Sequence, residues 1–171
     1  MSFSTPTHVN AVRIKLTTIN TAGTGSVAYC WDNISLIKGN GGSIINGDFE
    51  ANLSNWSTPS YAAVVDGSEV GRSSKVLKLS TANQAGIIGY TRMLAAQNYV
   101  LEFDFYAAGY PEGTTVSPYM KVVHYDNAQT GTRYEAAYYD ENGGNILSGV
   151  TPAEQGVWVH YTVPFRTVDG G

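Results

Sequence analysis

The sequence predicts an all-β domain, a two-sheet antiparallel β-sandwich of the jelly-roll kind with about ten strands and little or no helix. Three observations lead there. Apolar and polar residues alternate in short runs, and no window carries apolar residues at i, i+3, i+4 and i+7 for long enough to build a major helix. Charged residues make up 14% of the chain, against roughly 25% in ordinary soluble domains, so the Glu- and Lys-rich faces of helices are missing. Nineteen glycines, with Asn, Asp and Pro, punctuate the runs. A length of 171 residues suits one domain with its own core rather than two.

Taken in order, Val12, Ile14 and Leu16 alternate with Arg13 and Lys15, and Val27, Tyr29 and Trp31 precede Ile34 and Leu36. Residues 39–43, Gly-Asn-Gly-Gly-Ser, have the composition of a linker and divide the chain into residues 1–38 and 44–171. Leu77 and Leu79 flank Lys78 in a short strand. Residues 99–106 form the clearest strand: Tyr99, Leu101, Phe103 and Phe105 make the core row, and Val100, Glu102, Asp104 and Tyr106 the opposite one. Residues 119–125 and 133–139 flank a turn-rich stretch and read as a hairpin. Residues 157–165 form a further strand, with Pro164 near its end, where a missing N–H does least harm.

Composition also excludes function classes. Ten basic against fourteen acidic residues, a net charge of −4, give no basic footprint for nucleic acid. No apolar run reaches the roughly 18 residues that cross a bilayer, and residues 1–10 lack the apolar core of a signal peptide, so neither a membrane nor a leader is expected in this chain. Cys30, the single cysteine, lies in an apolar strand and is expected to be a buried, inert thiol.

Residues 45–50, Ile-Asn-Gly-Asp-Phe-Glu, are followed by Ser54-Asn55-Trp56. This pattern resembles the opening strand of the jelly-roll carbohydrate-binding modules attached to xylanases and laminarinases. The resemblance continues through residues 74–79, 97–105 and 157–165, while the family's closing strands match residues 12–16 and 29–36 at the front of this chain. The order is rotated. Three arrangements are open: a circular permutant, natural or made, whose N-terminal strands pair with residues 157–165; strand donation between copies, giving a fibre, sheath or tube; or a chain cut out of register with a preceding repeat.

The resemblance implies a structural Ca²⁺ held by Glu50 and Asp32, with Asp48 a further candidate, together with backbone carbonyls. Carboxylates and carbonyls are the hard oxygen ligands that Ca²⁺ takes. It also implies a polysaccharide or glycan ligand, a non-catalytic role and an extracellular or cell-surface location. The residues point to a tyrosine-rich face. Tyr119, Lys121 and Tyr125 share one row of their strand, and that face is expected to be the concave one carrying Glu102, Asp104 and Tyr106, with Tyr134 and Tyr138 adding rings and Tyr90 and Arg92 at the edge. Without a ligand, the same tyrosines would serve as strand formers that pair across strands.

Trp56 and Trp158 fall where the family buries a Trp and are expected in the core; Trp31 has no counterpart there. Catalysis is not expected. Glu102 and Asp104 sit roughly 6.6 Å apart on one strand rather than across a cleft, and His8, His124 and His160 stand alone without the spacing of a zinc site.

Overall fold

The computed structural model describes residues 8–20, 28–37, 44–80, 86–94, 97–112, 116–125, 133–134 and 154–166. They form β1 (His8–Asn20), β2 (Ala28–Ile37), β3 (Ala62–Asp66), β4 (Lys75–Leu79), β5 (Gly86–Leu94), β6 (Asn98–Ala108), β7 (Val116–Tyr125), β8 (Arg133–Tyr134) and β9 (Trp158–Arg166), with one 3₁₀ turn at Gly67–Val70. Among the described residues there is no α-helix. The chain is all-β, in two antiparallel sheets ordered β5-β1-β7-β8 and β3-β4-β2-β6-β9.

The core row of β6 is as the alternation predicts. Tyr99, Leu101, Phe103, Phe105 and Ala107 are all buried, and they pack with Tyr161, Val163 and Phe165 of β9 and Tyr29, Trp31 and Leu36 of β2. Trp31 takes the centre of this cluster, with ring centroids 5.1 Å from Phe103 and 4.8 Å from Phe105. Val116, in the other sheet, belongs to the same buried cluster.

Residues 45–50 form a turn rather than the opening strand that the resemblance implies. The reason is backbone conformation: Asn46 and Phe49 have φ of 56° and 55°, and Asn52 and Asn55 follow with 55° and 67°, a left-handed region in which Asn is enriched. Asn46 organises the turn. Its Nδ2 donates to the carbonyls of Asn52 (2.8 Å) and Ser54 (3.0 Å), its Oδ1 accepts from Ala51 N, and its carbonyl accepts from Trp56 Nε1 at 3.0 Å. Phe49 is thereby driven into the core against Trp56, which is buried as expected.

The two N-terminal strands take particular partners. β1 lies between β5 and β7, and β2 lies between β4 and β6. In the permutant arrangement residues 157–165 pair with the N-terminal strands; here β9 ladders with β6. The hairpin expected at residues 119–139 is present as β7 and β8, paired at His124↔Tyr134 and Tyr125↔Arg133. Its remainder, Tyr138 included, lies outside the described residues, as do residues 39–43, the Gly-rich joint.

Candidate functional site

The outer face of the five-stranded sheet carries a polar and aromatic cluster. It begins with a β-bulge. The β2–β6 register shifts between Asp32 and Ser35, and Asn33 there has φ 51°. Ile34 N does not bond to β6; it donates to Gly47 O at 2.9 Å. A Cβ on Gly47 would stand 1.8 Å from Ile34 O, so glycine is the residue this approach requires. A bulge re-aims side chains, and here it lets Asn33 Nδ2 reach across to Asp104 Oδ2 at 2.9 Å.

Asp104 is the centre of the cluster. Although it lies in the row opposite the core, it is 8% exposed, not the solvated acid that alternation alone predicts. Arg72 Nη2 donates to its Oδ2 at 2.7 Å, and His160 Nδ1 lies 2.8 Å from its Oδ1. Since an ionised carboxylate only accepts, Nδ1 carries the proton. Burial pushes the Asp104 carboxyl up, but hydrogen bonds from Asn33, His160 and Arg72 and the charge of Arg72 outweigh it and hold the group below the usual carboxylate range.

Asp32 stands directly opposite Asp104 in the β2–β6 ladder. It is fully buried, and its carboxylate accepts from Asn33 N (2.8 Å) and Ser74 Oγ (3.2 Å), with Arg72 Nη1 at 3.6 Å. Desolvation raises its pKa despite these partners, and the neighbouring Asp104 adds to the rise. One guanidinium serves two carboxylates and sits closer to Asp104, so the two acids are pushed apart in pKa.

Arg72 is placed by the 3₁₀ turn. Asp66 Oδ1 caps the turn by accepting Ser68 N at 2.8 Å, and Gly71 closes it with φ 76°. The guanidinium then lies 4.3 Å over the Trp158 ring, a cation–π arrangement. Trp158 Nε1 donates to Val70 O at 2.7 Å, and its ring centroid is 5.4 Å from that of Tyr106.

Trp158 is therefore a half-buried member of this face, not the core Trp that the resemblance implies. The register explains it: Trp158 and His160 stand opposite Tyr106 and Asp104, while the buried row of β9 is Tyr161, Val163 and Phe165.

Of the expected sugar-binding residues, Glu102, Asp104 and Tyr106 fall in one row, joined by Trp158 and His160. Tyr119, Lys121 and Tyr125 do not share that face, because β7 belongs to the other sheet. Tyr134 stands in the register row of His124, one step from that of Tyr125. Tyr90 stands opposite Arg13 on β1, and Arg92 lies at the irregularity between Val9 and Val12. Sequence reasoning missed Arg72, Asn33 and Ser74, which sit in a loop or a bulge where no periodicity applies. For His160 and Trp158 the signal was present, in their alternation with Tyr161.

The acids expected to bind calcium have other partners here. Asp32 is engaged by three donors, one of them a cation. Glu50 Oε1 accepts Lys75 N at 2.8 Å, and Lys75 Nζ donates to Glu50 O at 3.0 Å; Asp48 is exposed and accepts Glu50 N at 3.4 Å. Among the described residues no group of three or more His, Cys, Asp or Glu is placed to hold a metal ion. As arranged, Asp32 does not fit a calcium ligand, because a guanidinium stands where the cation would neutralise it.

Compared with protein-family models, with curated proteins and with solved structures, the chain matches none of them.

Proposed function

We propose that the protein is a non-catalytic carbohydrate-binding module, a two-sheet β-sandwich that works outside the cell and recognises a glycan through the outer face of β6 and β9. The observation that carries this reading is the Tyr106–Trp158 ring pair, 5.4 Å apart and half-buried, beside Arg72, Asp104 and His160. Aromatic faces take the C–H-rich side of a sugar ring, and nearby charged and amide groups bond its hydroxyls. The side chain of His160 is 57% exposed, so the polar margin of the ring pair is open to a ligand.

The way Asp104 is held supports recognition without bond cleavage. Both its oxygens accept hydrogen bonds from protein donors, an arrangement that suits a structural anion better than a general base with a free lone pair. Affinity electrophoresis against a panel of neutral polysaccharides tests the proposal. Retention on at least one polymer is expected, and Trp158→Ala and Tyr106→Ala should abolish it. Unchanged retention in both variants would sink this site.

A further inference from the structure

The guanidinium of Arg72 joins the polar and aromatic halves of the β6–β9 site. It covers the Trp158 ring at 4.3 Å, while its Nη2 donates to Asp104 Oδ2 at 2.7 Å and its Nη1 lies 3.6 Å from Asp32 Oδ2. The backbone behind it is fixed. Arg72 N donates to Gly67 O at 2.9 Å and Gly67 N to Ser74 O at 3.0 Å, so the loop that carries the side chain is bonded to itself.

A ligand that reaches Trp158 from this side must either displace Arg72 or take it as part of the floor. Displacement is costly. Asp32 and Asp104 are both buried, and withdrawing the guanidinium would leave two buried carboxylates without the cation they share. The ligand therefore meets Arg72 in place.

What it meets is a donor whose charge is already matched. A guanidinium carries several N–H groups in a planar fork and no acceptor. Among the described residues its one hydrogen bond is to Asp104, and the side chain is 25% exposed, so further N–H groups are open to a hydroxyl or ring oxygen. An anion gains less. One cation already faces two carboxylates, and a ligand carboxylate or sulfate would be the third negative group around it, repelled by two charges held out of water, where screening is weak.

We propose that Asp32 and Asp104 set the specificity of this site by making Arg72 a charge-compensated hydrogen-bond donor, so that the site takes uncharged polysaccharides and rejects acidic ones. The inference rests on the glycan reading and names its class of sugar.

Affinity electrophoresis of the whole chain tests this at pH 8, above the range in which carboxylates and histidine ordinarily titrate. The probes are β-glucan, glucomannan and galactomannan, each beside its own carboxymethylated and hydroxyethylated forms, which add a substituent of similar size with and without charge. Retention is expected on a neutral polymer and its hydroxyethylated form, and roughly tenfold weaker on the carboxymethylated form. Asp32→Asn should narrow that gap, whereas Glu112→Gln, the same change of net charge at an exposed residue outside the cluster, leaves it. Arg72→Lys keeps the charge but loses the planar fork and should weaken retention on the neutral polymer roughly tenfold. If Asp32→Asn fails to fold, the parent's gap and Arg72→Lys decide. The inference is overturned, with a glycan site still standing, by parent retention on a carboxymethylated form equal to or stronger than on the neutral one, by Asp32→Asn and Glu112→Gln narrowing the gap alike, or by unchanged neutral retention in Arg72→Lys. No retention of the parent on any of the polymers is instead the failure of the glycan reading, and this inference falls with it.

Discussion

Asp104 accepts from Asn33, Arg72 and His160, and its pH behaviour follows from those bonds. Its pKa is lower folded than unfolded, so its contribution is present above the ordinary carboxylate range and is lost as pH falls through the depressed folded value. Asp32 has the opposite sign. Its folded pKa is raised, so its contribution is present below the ordinary range and is lost as pH rises through the raised value. Urea unfolding from pH 2.5 to 7 should therefore show Asp104→Asn destabilised by about 2 kcal/mol at pH 7, with the difference narrowing in acid. Asp32→Asn should instead remove a stability loss on the neutral side and cost less at pH 7. Cys30 gives a second test at this scale. It is 1% exposed, and burial pushes its thiol up to about 11, so a thiol reagent at pH 8 should label it only as the chain unfolds; rapid labelling of the folded protein would contradict the burial.

At the scale of elements, the 45–56 turn and the β2 bulge form one device. Asn46 folds the turn, Gly47 presses its backbone on Ile34, and Glu50 receives the first amide of β4. Gly47→Ala should cost about 3 kcal/mol, because the added methyl meets backbone rather than a side chain that can move aside; urea melts of the variant measure it. Periodicity made β1, β2, β4, β6, β7 and β9 legible, because each has a two-residue alternation bounded by turn residues. It gave no sign of β3, whose residues Ala62–Asp66 show a half-buried pattern with little contrast. The resemblance, not periodicity, placed a strand at residues 45–50, where four left-handed residues between 46 and 55 make a turn instead. Of the site, the row Glu102, Asp104 and Tyr106 was readable from one strand. Its partners were not, since Arg72 arrives from a loop 32 residues away in sequence and Asn33 through a bulge.

For the whole molecule, both N-terminal strands have, among the described residues, partners on each side within one chain. Size-exclusion chromatography with mass measurement at two concentrations should give a monomer at both; a mass rising with concentration would favour exchange between copies. The Arg72 arrangement needs no further cation, so EDTA should leave Tm unchanged, and a fall would restore the calcium expectation for Glu50 and Asp32. The sequence by itself determined the all-β class and the core row of β6, because side-chain alternation along a strand is a local property with a period of two. Tertiary structure decided which strands are neighbours, and with that which side chains meet. It set Asp32 opposite Asp104 and Trp158 opposite Tyr106. Cross-strand register joins residues far apart in the chain, and no local pattern encodes it.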